Sequence, residues 1–390
     1  MKFMKILIIL NEAPLPFSSA ASRWYYSLLR GLEQVSDIEV SLIAACQNLE
    51  LLNKSLELFP WGHFYLYPRE GGLSKKIKTV LMPFSYNISQ EMQSKVEELS
   101  CLQDVIHVEQ TFASWACKNI SKKHVLSIHY LSRIDLENSH PINFKDWLIV
   151  KMMMHTEKRL IKKFHHIKTC SLRIADYIKS QDEKNVLSSF PFAIDIERYS
   201  FLESSSRVKT NTVTLIANMG WYPGKSAAMN LLEKIWPILK SNNSKLKLRI
   251  VGWNARVVLK DFLNTPDVEI LENVPNIEEF FYNADVIIYY PEKGSGIKIK
   301  IQEAMLYGIP VATNSEGAEG LNLEDGYHCI LEDNLSTFIQ KTDKLIRSNE
   351  LQEKLRNNAR DLIVNCCSIN EVLKKQTELY KEIIRINSNE

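Results

Sequence analysis

Glycine is scarce in this chain. Average usage of about 7% would give roughly 27 glycines, and 13 occur among the 390 residues. A surplus of either charge is missing too. The 48 Lys/Arg and 46 Asp/Glu leave a net +2, which excludes a strongly electropositive nucleic-acid binder. No apolar run approaches the roughly 18 residues of a membrane-spanning helix. The N-terminal run Ile6–Leu10 is shorter than a secretory core of about 7–15 residues, and no small-residue cleavage site follows. Seven scattered cysteines (Cys46, Cys101, Cys117, Cys170, Cys329, Cys366, Cys367) form no C-x-x-C pair, so reduced thiols and a cytoplasmic location are expected. What is present is ordinary for a globular chain: 45% apolar and 24% charged residues exclude wholesale disorder. The length suits two to three domains of about 150 residues each, with core enough to need no staples.

Short apolar runs of strand length appear at 4–10, 38–44, 104–108, 124–128 and 185–189, with helical periodicity at 20–34 and 143–166. Strand followed by helix, repeated, predicts a parallel doubly wound sheet. The pattern lapses over 191–211, with Pro191 and the cluster Ser204–Ser206, which reads as a linker. It then restarts. Strands are expected at 212–217, 246–251, 268–271, 284–290, 310–313 and 329–331, and helices near 225–240, 255–263, 276–282 and 297–307. A helical, charged tail covers 335–386. The fold class is therefore α/β: two Rossmann-like doubly wound domains facing a central cleft, where such sheets bind ligands beyond their strand ends.

Six of the 13 glycines (Gly294, Gly296, Gly308, Gly317, Gly320, Gly326) gather in one short stretch. It begins after the apolar run 284–290, at Pro291–Gly296, and a helix start follows from Ile297. Strand, glycine loop and helix start present backbone N–H groups and a positive dipole end to an anion. Lys298 and Lys300 stand at that helix start, where cations are disfavoured unless an anion is present. Local physics alone leaves two readings open, an anion site or a plain turn with solvated lysines. Neither a dinucleotide G-x-G-x-x-G fingerprint nor a G-x-x-x-x-G-K-[ST] loop is present, which weakens hydride-transfer and ATPase readings.

The run Gly294-Ser295-Gly296-Ile297-Lys298-Ile299-Lys300-Ile301-Gln302-Glu303-Ala304-Met305, continued by Gly308–Thr313 and Glu316–Leu321, resembles the donor-binding signature of glycosyltransferase family 4. These are retaining enzymes of the two-domain GT-B fold. Asn218–Pro223, Val251-Gly252, Phe280–Asp285 and Asn358–Arg360 resemble further features of one branch. In the N-terminal half Pro14–Arg23, His107–Gln110, Ser127–His129 and Pro191–Tyr199 match looser motifs. The resemblance covers nearly the whole chain, strongly over 212–325 and thinly before 190.

The resemblance implies an acceptor-binding domain at 1–190, a linker at 191–211 and a donor-binding domain at 212–367. A helix at 368–390 could cross back to the first domain. It implies a metal-independent hexosyltransferase with no resident cofactor, using a UDP-, GDP- or dTDP-sugar. The acceptor would be a glycan or lipid-linked hydroxyl, in bacterial surface-polysaccharide assembly, and no nucleic-acid partner is implied. Glu303 would accept the ribose hydroxyls, since a carboxylate takes two donors at once. The Gly294–Lys300 loop would hold the diphosphate and stabilise the leaving group, with Gly220, Lys225, Ser295, Ile297, Lys298, Glu316 and Gly317 also on the donor side. His129, after the strand ending at Ile128, matches a histidine near the donor sugar, and His129, Lys300 and Glu303 form the implied catalytic set. Ser19, Arg23 and Glu109 are acceptor-side candidates, although a surface position is the ordinary expectation for Glu109.

The sequence departs from the family pattern in places. Ser295 stands where the first glutamate of the E-x7-E motif would be, so a carboxylate near the sugar is missing. Met219 falls near a family arginine, leaving phosphate charge to Lys298, Lys300 and Lys225. The alternatives are a sugar-nucleotide epimerase of similar fold or a degenerate nucleotide-sugar-binding protein. The other histidines lack the partners of a metal site. Residues 143–180 carry nine Lys/Arg against three Asp/Glu, with Phe144 and Trp147 among them. This segment is expected as a packed amphipathic helix with a solvated basic face. The rival is peripheral contact with the anionic inner membrane surface.

Overall fold

In a computed structural model, residues 3–16, 18–46, 49–69, 82–141, 143–181 and 185–388 are described. The chain divides into two compact units. The first comprises Met1–Arg133, His140–Ile194 and Cys367–Glu390; the second comprises Ile134–Ser139 and Asp195–Cys366.

The first unit is built on a parallel sheet of β1 (Met4–Leu10), β2 (Ile38–Cys46), β3 (His63–Pro68), β4 (Val105–Glu109), β5 (His124–Ile128), β6 (His166–Thr169) and β7 (Asn185–Ser189). Their order is β3-β2-β1-β4-β5-β6-β7. Strands covered on both faces read as unbroken apolar runs, and Ile6 to Leu10 are indeed fully buried. Helices α1 (Ala20–Leu32), α2 (Leu49–Leu58), α3 (Gln90–Ser100), α4 (Phe144–Ile161) and α5 (Leu172–Gln181) connect the strands. Ser19 caps α1, its hydroxyl accepting from the Ser22 N–H at 3.1 Å.

Two strands of this sheet do not show in the apolar pattern. β3 is only partly buried. β6 reads His-Ile-Lys-Thr, polar in sequence, yet all four residues are buried.

The second unit repeats the plan with β8 (Thr212–Ile216), β9 (Lys247–Val251), β10 (Val268–Leu271), β11 (Val286–Tyr289), β12 (Val311–Thr313) and β13 (Ile330–Leu331). All pairings are parallel, in the order β10-β9-β8-β11-β12-β13. Helix α6 (Tyr222–Asn230) runs on through a π-turn at Leu231–Ile235 into a last segment, Trp236–Asn242. Helix α7 (Ile299–Tyr307) buries every residue except Lys300, so it shows no polar face. It stops at Gly308, whose φ of 75° is the left-handed C-cap. The charged tail resolves into three helices, α8 (Leu335–Arg347), α9 (Asn349–Cys367) and α10 (Ile369–Ser388). Helix α10 packs in the first unit, on α1.

In each sheet the strand order reverses between two neighbours, β1 and β4 in the first and β8 and β11 in the second. Doubly wound sheets place ligands at the C-terminal ends of such strands. The two reversal points are therefore where candidate residues matter.

Candidate functional site

In the second unit β11 ends at Tyr289 and the chain enters the loop Pro291–Lys298 before α7. Gly296 turns the loop with a φ of 69°, a conformation that costs glycine nothing. No side chain caps α7, and carboxylates meet the loop's N–H groups just before it. Gly294 N–H donates to Glu316 at 3.0 Å, and Ser295 N–H donates to Asp135 at 2.5 Å. The Ser295 hydroxyl donates to the same Asp135 oxygen at 2.6 Å. Lys298 folds back so that its ammonium donates to the carbonyls of Ser295 (3.1 Å) and Gly296 (2.6 Å).

The loop is anchored from neighbouring strand ends. Asn314, just past β12, donates to Pro291 O at 2.8 Å, and Gly317 N–H returns to the Asn314 side chain at 3.0 Å. A Cβ on Gly317 would stand 2.1 Å from Thr313 Oγ1, so this close approach requires glycine. From α6, the Tyr222 hydroxyl donates to Glu292 and Asn230 donates to Tyr290 O at 3.2 Å. Gly220 lies exposed in the turn after β8, its N–H donating to Asn218 Oδ1 at 2.8 Å.

Glu303 is 2% exposed. Its carboxylate accepts from the Tyr199 hydroxyl at 3.1 Å and pairs with Lys300 at 2.9 Å. The Lys300 ammonium is thus directed along α7 at Glu303. Ile297 is buried, while Lys225 is exposed on α6. The structure therefore brings together Gly294, Ser295, Gly296, Lys298, Glu316 and Gly317 at one loop cluster.

Asp135, which the sequence reading did not single out, belongs to this cluster. Burial pushes its carboxyl above the usual range, against the opposing pull of Lys298 and of the Ser295 and Trp221 hydrogen bonds. Nothing in the polar segment around it marks the residue in sequence.

The first unit gathers a different set at the ends of β4 and β5. Glu109 is 0% exposed, which corrects the surface position expected from sequence. His129 donates to one carboxylate oxygen, and the Trp24 indole reaches the same oxygen at 3.2 Å. His107 lies 3.0 Å from the other. A chain of hydrogen bonds sets the histidine tautomer: Tyr25 donates to Asn11, Asn11 to Gln110, and Gln110 to His129 Nδ1. Nε2 is then the protonated nitrogen facing Glu109. Burial alone would raise the Glu109 carboxyl, but the two histidines hold it well below its ordinary value. Burial lowers His129, so the pair is a carboxylate and a neutral imidazole at neutral pH.

Lys168 of β6 is buried beside this cluster, its ammonium 4.6 Å from the ring centres of both Trp24 and Phe190. The faces of aromatic rings attract a cation, and Glu109 supplies the opposite charge. Ser19, besides capping α1, donates to Glu12 at 2.7 Å, and Arg23 is half-buried in α1. Phe17 of the Pro14–Arg23 motif lies outside the described residues.

Helix α4 buries Met153, Thr156, Glu157 and Leu160. Phe144 and Trp147 stack at its exposed start, 5.6 Å apart. Among the described residues, no group of three or more His, Cys, Asp or Glu could hold a metal ion. None of their helices is long and apolar enough to cross a membrane.

Residues 210–348 match the family model described as Glycosyl transferases group 1. An uncharacterized glycosyltransferase of Haemophilus influenzae is 23% identical over 290 residues, 70% of this chain and 75% of the relative. Sucrose-phosphate synthase from Thermosynechococcus elongatus superposes with a TM-score of 0.70 at 11% identity, covering 99% of this chain and 100% of its own. Anabaena HepE, solved in complex with UDP and glucose, gives 0.66 at 14% identity over 97% and 100%. The superpositions show the fold, two Rossmann-like domains of the GT-B class. Residues 210–348 thus carry the pattern of a group 1 glycosyltransferase domain, in a chain whose fold is of GT-B type.

Proposed function

We propose that the protein transfers a hexosyl group, with retention of configuration, from a nucleoside diphosphate-sugar to a hydroxyl of a glycan or lipid-linked acceptor. The reading extends to bacterial surface-polysaccharide assembly, by analogy with the resembled family. One observation carries the donor side: successive N–H groups of the glycine loop, Gly294 and Ser295, already meet anionic oxygens. Diphosphate oxygens have the same acceptor chemistry, and N–H groups beside a helix start suit them. HepE, whose complex contains UDP and glucose, is a precedent of the same fold.

In this reading the N–H groups of Gly296, Ile297 and Lys298 meet the diphosphate, and the Lys298 ammonium offsets its charge. Ser295 N–H stays with Asp135 and Gly317 N–H with Asn314, holding the loop. Glu303, paired with Lys300, keeps lone pairs for the ribose hydroxyls. The acceptor hydroxyl attacks the anomeric carbon on the face from which the diphosphate departs. Its proton passes to a phosphate oxygen as the bond to the leaving group breaks. Such a step needs no enzymic nucleophile and no metal, and the loop's N–H groups stabilise the charge that develops. In the first unit His129 belongs to the catalytic set of this reading, its ring held by Glu109, which stays an acceptor-side candidate. A peripheral membrane contact through Phe144 and Trp147 is a companion proposal, tested by sedimentation with anionic vesicles.

The deciding experiment measures nucleoside-diphosphate release from UDP-, GDP- and dTDP-sugars, with and without acceptor extract, and reads the product's anomeric configuration by NMR. Release that depends on acceptor, with retention, is expected. Failure of every nucleotide to bind would overturn the reading, and isomerised sugar nucleotide without transfer would favour an epimerase.

A further inference from the structure

The glycine loop has a carboxylate partner that its own sequence does not encode. Asp135 stands 160 positions from Ser295 and 86 from Trp221 in the chain, in the segment Ile134–Ser139 that packs with the second unit. It is 2% exposed. One oxygen takes the N–H and the hydroxyl of Ser295, at 2.5 and 2.6 Å, and the other takes the Trp221 indole N–H at 2.7 Å.

These three donors come from two separate loops. Trp221 ends the turn after β8, and Ser295 sits in the loop after β11, the two strands between which the sheet order reverses. A single buried carboxylate therefore sets the spacing of both loops. Hydrogen bonds to an ionised acceptor are the strong kind, and buried donors left without a partner are costly. A solvated aspartate would have neither property.

We propose that Asp135 is the positioning residue of the donor loop. It ties the glycine loop to the Trp221 turn, so that the N–H groups at the start of α7 and Lys298 meet a nucleoside diphosphate-sugar in one fixed geometry. The proposal rests on the donor reading above, and its test has a readout that does not.

The full-length protein and the variants D135A, D135N, W221F and D135N/W221F are compared in two ways. Hydrogen exchange by mass spectrometry reports the order of residues 218–222 and 292–298. Nucleoside-diphosphate release gives KM and kcat for the donor. Loss of the carboxylate in D135A is expected to speed exchange in both loops about tenfold and raise donor KM about tenfold, matching the cost of unpaired buried donors. kcat should change far less, as for lost ground-state binding.

In D135N the amide oxygen can still serve Ser295, but its NH₂ faces the indole N–H, so an intermediate defect is expected. Removing the indole in D135N/W221F should bring KM back toward that of W221F alone, a recovery that mere loss of stability would not show. D135N also keeps the test open if D135A does not fold. Exchange and KM within twofold of wild type in D135A, or no recovery in the double variant, would overturn the proposal. If the wild type binds no nucleotide, the transfer reading fails, and the exchange comparison still decides whether Asp135 holds the loops.

Discussion

Both units hold carboxylates against groups at the C-terminal ends of central parallel strands, and they satisfy them in opposite ways. In the first unit Glu109 is enclosed by side chains: His107, His129, Trp24 and, at longer range, Lys168. In the second unit Asp135 and Glu316 take backbone N–H groups of a glycine loop. The first arrangement locks residues of the sheet and α1 to one another, and each ring nitrogen of His129 is already engaged. The second arrangement holds donors whose chemistry any anion of suitable shape can share. Burial of charge thus locks side chains together in the first unit and, in the proposed reading, shapes the donor loop of the second.

The largest test of that contrast is Glu109→Ala. It leaves the buried Lys168 without its counter-charge and the His129 and Trp24 N–H groups without their acceptor, and breaking a buried ionic group costs about 3–5 kcal/mol. Urea unfolding followed by circular dichroism should show a loss of that size. A loss below about 1 kcal/mol, the range of an exposed pair, would erase the distinction.

Acidification probes the same unit. Burial pushes His124 down to about 4 from 6.5. The unfolded chain takes that proton first, so this stability is complete above about 6.5 and is lost as the pH falls toward 4. The ceiling is about 3 kcal/mol at 1.36 per unit. Glu109 and His129, both lowered, act with the same sign. His124→Asn should flatten the stability profile between pH 6.5 and 4; an unchanged profile would assign the loss in that window to His129, since the contribution of Glu109 is lost only below about 4.5.

In the second unit, Gly317→Ala forces a Cβ to 2.1 Å from Thr313 Oγ1. Overpacking of this kind costs about 1–3 kcal/mol, and calorimetry should show weaker UDP binding, because Asn314 ties Gly317 to Pro291. Unaltered affinity would detach Gly317 from the loop cluster. Ser19→Ala is the smallest change. Loss of the α1 cap should cost about 1 kcal/mol and leave acceptor KM unaltered, whereas a raised acceptor KM would return Ser19 to the site.

Legibility in the sequence followed burial. Strands β1, β2, β4 and β5 were visible as apolar runs, as were β8 to β12. The glycine loop and the stop at Gly308 were visible because glycine is rare elsewhere. Strand β6 was not, since His166, Lys168 and Thr169 read as surface residues. Glu109 was misplaced for the same reason.

The sequence by itself determined the alternation of strand and helix, the two α/β halves and the glycine loop before α7. Each of these depends on residues that are neighbours in the chain. Only the tertiary structure decided the fate of the isolated charges. Lys168 can be buried because Trp24, Phe190 and Glu109 converge on it. Asp135 can be buried because Trp221 and Ser295 supply its donors from 86 and 160 positions away. The cost of desolvating a charge depends on its surroundings, and those surroundings exist only once distant segments have met.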